Sequence, residues 1–289
     1  MQKHISVINI PEISAIYFAL LQCGYDYYAV KKDATLVKTI EKFHCAKGVF
    51  GDTFFSEVKQ NTCEVYPYWP RAAVLETTTF FLDSAHRRFR SFDAYRKQIM
   101  FANNISDAER NRDFWKWIEE FPSALCNVLS SQEFQSYLLW ENEWIDQQNR
   151  LLENDLFHIQ KVLSTCAENY ASPIQNVSIV LNPIKCAYSA DYHITGNQLF
   201  FCAGAFQWES VVHEFLHHAV HPLIAEHKEI ILQHHREYPD IDASYYLAGD
   251  EHGRLNAFEE YLVRKLTALA IGDKLPSDIE PYIRQILSD

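Results

Sequence analysis

Hydrophobic residues recur along the chain with two spacings, one typical of helices and one typical of strands. Residues 3–10 alternate as in a strand that has two apolar faces. Pro11 favours the first turn of a helix, and the helical pattern continues to about Leu21, before Gly24. Residues 34–46 show helical spacing again. The chain is therefore predicted to begin with a strand followed by two helices.

The middle of the chain is predicted to be mostly helical, over about residues 84–168. Apolar side chains from Phe134 to Leu163 keep helical spacing throughout, which indicates one long amphipathic helix or a broken pair. The preceding segment Val74–Leu82 is rich in Thr and Phe, so we expect it to be extended.

Strand patterns dominate the next segment. Val177–Leu181 is a short β-rich run, and residues 195–197 form a turn between Cys186–Ile194 and Gln198–Cys202. An apolar helix follows this hairpin at once, from about Trp208. We therefore predict an α+β fold that is predominantly helical and has a small sheet before that helix.

The hydrophobic pattern changes near Pro173 from helical to strand-like spacing. This change divides the chain into residues 1–170, which are mostly helical, and residues 171–289, which carry the candidate catalytic residues. The chain has only 8 Gly and 10 Pro, and no flexible linker marks the boundary. The two regions are therefore either separate units or parts of one shared core.

Composition and charge restrict the possible partners. The 289 residues are 48% hydrophobic and 22% charged, as in ordinary globular proteins, and the net charge of −12 disfavours a nucleic-acid partner. No apolar run is long enough to span a membrane, and no signal-peptide pattern is present. The seven cysteines are scattered and odd in number, which favours reduced thiols in a cytoplasmic protein.

Histidine carries the strongest chemical signal. Eight of the 13 histidines lie between residues 213 and 252, and the sequence from His213 to His217 is an HExxH motif. On a helix, residues four apart share one face, so two imidazoles can bind one metal ion, and zinc suits them. Glu214 can then reach a water molecule at the open metal position and act as the general base.

A zinc site needs a third protein ligand, and His221 is a poor candidate. It lies about 12 Å from His213 along a straight helix axis, given the rise per residue. Pro222 is also expected to end or kink the helix here. We therefore expect His221 to support the site from outside the ligand set, or to be structural.

A second helix offers the third ligand. Phe258 and Leu262 belong to its apolar stripe, and Glu259 and Glu260 lie beside that stripe. Adjacent residues point about 100° apart on a helix, so only one glutamate can bind the metal. We favour Glu260 and expect the other glutamate to be an exposed helix charge; Arg264 can hold one carboxylate.

The sequence HEFLHH, followed later by NAFEEYLVR, resembles the gluzincin branch of the zincin metallopeptidases. It is also similar to an uncharacterised bacterial domain family placed among the peptidase-like zincins. The resemblance covers residues 205–270. It implies a zincin-like catalytic region in which His213, His217 and Glu260 bind zinc and Glu214 is the base.

Two further features bear on this resemblance, one against it and one for it. The 43 positions between His217 and Glu260 exceed the compact thermolysin-like spacing, so Glu259 stays open as the third ligand. The hairpin over residues 186–202 is similar to the sheet edge that receives substrate in such enzymes.

Peptide hydrolysis also needs a donor for the developing oxyanion. Candidates are His252, Tyr245 and Tyr246, in or beside a loop-like stretch before the second helix, and His252 and Tyr246 are favoured. We therefore predict a zinc metallopeptidase acting on peptides or proteins, in which Glu214 deprotonates a zinc-bound water.

Two alternatives belong to other classes of protein. One is a zincin fold that binds metal as a regulatory or binding module without cutting peptides. The other is a helical interaction protein whose histidines are incidental. The sequence does not indicate an oligomeric state.

Overall fold

The computed structural model describes residues 5–45, 78–79, 81–82, 125–170, 172–187, 190–234, 237–242 and 251–288. Four described strands form one sheet: β1 (Ile5–Ile8), β2 (Asn176–Leu181), β3 (Asp191–Thr195) and β4 (Gln198–Ala203). Their order is β1-β2-β4-β3. The first three are parallel neighbours, and β3 pairs antiparallel with β4 at one edge.

Helices make up most of the described chain. They are α1 (Pro11–Gln22), α2 (Ala34–Glu41), α3 (Gln132–Leu151), α4 (Glu153–Asn169), α5 (Trp208–Glu226), α6 (Lys228–Gln233), α7 (Glu251–Ile271) and α8 (Glu280–Ser288), with a short 3-10 turn at Tyr27–Ala29. The predicted α+β class, predominantly helical with a small sheet before the HExxH helix, is confirmed.

The first elements follow local sequence signals. Helix α1 begins at Pro11, as predicted, and Gly24 lies just beyond it at a positive φ of 90°, which glycine adopts readily. Helix α2 begins where the Asp33 side chain accepts hydrogen bonds from two backbone N–H groups. It ends at Glu41, earlier than the predicted residue 46.

The long helical pattern in the middle is a broken pair. Helices α3 and α4 are separated at Leu152, whose backbone leaves the helical region (φ −100°, ψ 6°). The predicted helices over residues 84–124 lie outside the described residues.

The expectation that Val74–Leu82 is extended is wrong for its described part. Residues 78–79 and 81–82 are helical. Thr78 and Leu82, four residues apart, are both buried, so packing at helical spacing overrides the strand preference of Thr and Phe.

Pro222 does not end the HExxH helix, because α5 continues through it to Glu226. Pro222 itself is exposed, whereas Ile224 in the following turn is buried in the core. Burial of this last turn stabilises the helix beyond the position where proline removes a backbone hydrogen bond.

The core lies on both faces of the sheet, as expected where parallel strands are covered on both sides. Phe201 faces a cluster that contains the apolar residues of α4, α5 and α7. Its neighbour Phe200 faces a second cluster with α1 and α3, because successive strand residues point to opposite faces. Ile5 and Val7 of β1 belong to the first cluster, so the N-terminal strand packs with the C-terminal helices.

None of the described helices combines the length and the apolarity needed to cross a bilayer.

Candidate metal centre

The HExxH motif lies on α5, where the sheet and α7 enclose it. The apolar side of α5 is buried in the first core cluster through residues including Val212, Phe215 and Leu216. His213 and His217 project from the partly buried side, one helical turn apart. Packing of the apolar side therefore fixes the direction of both imidazoles.

Glu260 of α7 meets these two histidines, and the three residues form a candidate ligand trio, which could hold a metal ion. One donor atom from each lies within 4.8 Å of the other two. The Nε2 atoms of His213 and His217 are 3.2 Å apart, and Glu260 Oε2 is 3.6 Å and 3.4 Å from them. Two imidazole nitrogens and one carboxylate oxygen converging on one point form a donor set that suits zinc.

Arg264 holds Glu260 in this position. Its Nε donates to Glu260 Oε1 over 2.7 Å, which leaves Oε2 directed at the histidines. Burial opposes the charged carboxylate, but contacts with His213, His217 and Arg264 outweigh it and hold the pKa of Glu260 well below its usual range. Glu260 is therefore ionised, as a metal ligand must be.

Glu259, the alternative third ligand, lies behind the histidines. Its Oε1 accepts from Nδ1 of His217 at 2.8 Å, and its Oε2 lies 3.0 Å from Nδ1 of His221. A proton on Nδ1 of His217 leaves the lone pair on its Nε2 facing His213 and Glu260. The expectation that the second glutamate is exposed is wrong, because Glu259 is only 8% exposed.

The two glutamates also change the acidity of His217. Burial disfavours its charged form, but hydrogen bonds with Glu259 and Glu260 prevail and raise the pKa of His217 to about 9. The same hydrogen bonds lower the pKa of Glu259 against the opposing effect of its burial. Shared hydrogen bonds therefore couple the protonation of His217 to that of both glutamates.

Glu214 lines the same cavity as the ligand trio. Burial raises its pKa, while the nearby imidazoles of His213 and His217 act in the opposite direction. A carboxylate with a raised pKa is a stronger base than an exposed glutamate and, once protonated, still a competent acid.

The cavity in front of the ligand trio has a volume of about 730 Å³. Its walls come from α5, α7 and the edge strand β3. Besides the trio and Glu214, the lining residues are Thr79, Ala190, Asp191, Tyr192, His193, His221, Asn256 and Glu259. A cavity of this size accommodates a small molecule or a few residues of a peptide.

Strand β3 contributes two aromatic side chains that sequence reasoning did not identify. The Tyr192 ring stacks on His217, with centroids 6.3 Å apart and planes 8° from parallel. His193 is buried, and its Nδ1 lies 2.8 Å from Thr79 Oγ1, but its Nε2 has no hydrogen-bond partner among the described residues. Burial lowers the pKa of His193 to about 4, so its imidazole is neutral at pH 7. The alternation of polar and apolar residues over residues 191–195 was the available signal.

Asp191 begins the same strand and is also buried. Lys185 Nζ contacts its carboxylate at 2.5 Å and lies 3.1 Å from Tyr17 Oη. This buried pair anchors the start of β3 beside the cavity.

The candidate oxyanion donors stay predictions. Tyr245 and Tyr246 lie outside the described residues. His252 lies in the first turn of α7, but its side chain is outside the described part of the structure.

Comparisons with protein-family models, with curated proteins and with solved structures each give no match. The resemblance to gluzincins therefore rests on the sequences HEFLHH and NAFEEYLVR.

Proposed function

We propose that the protein is a zinc-dependent hydrolase that cleaves peptide bonds. The observation that carries this proposal is the convergence of His213, His217 and Glu260, with donor atoms within 4.8 Å, beside Glu214 in one cavity. Two histidines and one glutamate leave a coordination position open, as in catalytic rather than structural zinc sites.

The residues have distinct roles in this proposal. His213, His217 and Glu260 would hold the metal, and Glu259 orients His217 through its Nδ1. A zinc ion bound there would supply Lewis-acid chemistry, by acidifying water and polarising a carbonyl group.

Glu214 moves the proton. Its carboxylate accepts one proton from the attacking water as the oxygen bonds to the substrate carbonyl carbon. The resulting carboxylic acid then gives this proton to the amine nitrogen as the C–N bond breaks. Its position in the same cavity as the ligand trio suits both steps.

The edge strand supports a peptide as the substrate. Strand β3 is an edge strand of the sheet formed by the described strands, and residues 190–193 line the cavity. An extended peptide can add to such an edge through main-chain hydrogen bonds, which places its carbonyl groups along the cavity wall.

We further propose that the protein acts in the cytoplasm. The seven cysteines are scattered and odd in number, and no disulfide joins the six that lie in the described residues. Reduced thiols are typical of cytoplasmic proteins. The net charge of −12 supports the proposal that nucleic acid is not a partner.

The experiment compares the wild type with Glu214→Gln on a mixed peptide library, with cleavage read by mass spectrometry and zinc content measured alongside. Loss of the base is expected to lower kcat/KM by about 100- to 10,000-fold while zinc is retained. Glu209→Gln, at an exposed glutamate in the first turn of α5, is the matched control and should cleave like the wild type.

Full activity in Glu214→Gln would contradict the proposed base. A wild-type protein that carries zinc and cleaves nothing in the library would instead indicate a metal-binding module without peptidase activity.

A further inference from the structure

A second cavity lies apart from the metal centre and shares none of its lining residues. Its volume is about 600 Å³, within the range of small-molecule sites. It lies where the parallel strands β2 and β4 end, next to Leu181 and Gly204, and between α2 and α3. The carboxyl ends of parallel strands are a frequent location for ligands in mixed α and β folds.

One wall of this cavity is aromatic. Trp140 and Trp144 are four residues apart on α3, so they present their rings on the same face of the helix. Both are partly exposed, and Phe206 and Leu152 extend the apolar wall. Flat rings of this kind bind planar apolar groups by stacking.

The opposite wall is basic and carries hydroxyl groups. It contains Lys31 and Lys32, followed by Thr35 and Thr39 of α2. Asp33 is the one acidic residue in this lining, and its Oδ1 accepts from the backbone N–H groups of α2 rather than pairing with a lysine. A locally positive wall stands out in a chain of net charge −12.

Lys32 is the residue that most needs a counterion. Its Nζ donates to the carbonyl oxygen of Pro183, and no carboxylate of the described residues lies within 4.0 Å of it. Burial lowers the pKa of Lys32 to about 7. Enclosed ammonium groups are normally paired with an anion, and a bound anion would restore the charged form.

The backbone before Lys32 is also unusual. Lys31 has a φ of 61°, in the left-handed region that residues other than glycine rarely adopt. Such conformations concentrate in segments that contact ligands.

We propose that this cavity binds a small organic anion with a flat apolar part, such as an aromatic carboxylate or phosphate. The anion pairs with the Lys32 ammonium, and the flat part lies against Trp140 and Trp144. The site is independent of the metal centre, so it stands whether or not the proposed peptidase activity is found.

The test is calorimetric titration of the full chain with phenyl phosphate, inorganic phosphate and benzyl alcohol. Phenyl phosphate carries both the ring and the anion, and we expect it to bind with a Kd of about 1 mM or lower. Inorganic phosphate and benzyl alcohol each lack one half and should bind at least about tenfold more weakly.

Variants assign the binding to this cavity. Lys32→Met should weaken phenyl phosphate binding by about tenfold or more, because a charge-assisted contact is lost. Lys38→Met removes an exposed lysine of α2 that does not line the cavity, and binding should stay at the wild-type level. Trp144→Leu should weaken phenyl phosphate but leave inorganic phosphate unchanged.

Thermal melting of each variant establishes whether it is folded. If Lys32→Met does not fold, the comparison of Trp144→Leu with the wild type is the test. The proposal is overturned if phenyl phosphate does not saturate, or if folded Lys32→Met or Trp144→Leu binds it like the wild type. Loss of binding in Glu260→Ala but not in Lys32→Met would place the anion at the metal centre, which also overturns the proposal.

Discussion

At the scale of single residues, the candidate centre depends on two adjacent glutamates with different tasks. Glu260 turns its free oxygen towards His213 and His217, while Glu259 contacts the outer nitrogens of His217 and His221. The angle between neighbouring helix positions allows this division, because one carboxylate reaches the front of the imidazoles and the other reaches the back.

We predict that Glu259→Ala weakens zinc binding by about 10- to 100-fold, because His217 then loses the contact that sets its ring orientation and tautomer. Competition with a chromophoric chelator measures the affinity. Glu226→Ala, at an exposed glutamate at the end of α5, is the matched control. Unchanged affinity in Glu259→Ala would show that its hydrogen bond does not contribute to the metal site.

The sequence predicts part of this site because helical spacing fixes which residues share a face. His213 and His217 follow from their separation of four, and Glu259 and Glu260 both follow as candidates from their positions beside an apolar stripe. The task of Glu259 does not follow, since the direction of its side chain relative to α5 depends on how two distant helices pack. His193 and Tyr192 were missed because polar residues on a strand usually indicate a solvent-facing side.

At the scale of elements, a close backbone contact lies in the connection between β4 and α5. Gly204 follows β4, and a Cβ atom added there would lie 2.0 Å from the carbonyl oxygen of Lys185. The segment before β3 and the segment before α5 therefore touch through their main chains. This contact connects the buried pair Lys185–Asp191 to the start of the HExxH helix.

We predict that Gly204→Ala lowers the free energy of unfolding by about 1–3 kcal/mol, because the segment around Lys185 must move away. Urea unfolding followed by circular dichroism measures the change. Gly272→Ala is the control, since its added Cβ would make ordinary contacts of 3.6 Å, and its effect should stay within about 0.5 kcal/mol. Equal stability of the two variants would contradict the close contact.

Local patterns predict several elements well. Helix α1 begins at its proline, and the hairpin of β3 and β4 turns at Gly196, as the sequence indicates. The helical conformation within Val74–Leu82 and the continuation of α5 past Pro222 have one cause in common. In both places, burial of side chains against distant parts of the chain outweighs the intrinsic preference of the residues.

At the scale of the whole molecule, the sheet joins the regions of the chain before and after residue 170. Strand β1 pairs with β2 along its full length, and its residues Ile5 and Val7 share a core cluster with α5 and α7. Ile159 and Leu163 of α4 belong to the same cluster. No local pattern predicts this pairing, because the partners lie about 170 positions apart in the sequence.

We predict that residues 171–289 expressed alone do not fold cooperatively, because they lack β1 and α4 and would expose the core that these elements cover. Thermal melting followed by circular dichroism, with the full chain as the reference, tests this. A fragment with a sharp transition and the zinc affinity of the full chain would instead establish the boundary near residue 170 as a true domain boundary.

Zinc binding by the full chain tests the central claim most directly. After dialysis against zinc and then metal-free buffer, elemental analysis of the wild type should give one zinc per chain. Glu260→Ala should lose this zinc, because the two remaining histidines rarely suffice to hold it. Glu226→Ala should retain the zinc. A wild-type chain without zinc, or a Glu260→Ala variant that keeps a full equivalent, would contradict the assignment of His213, His217 and Glu260 as a metal site.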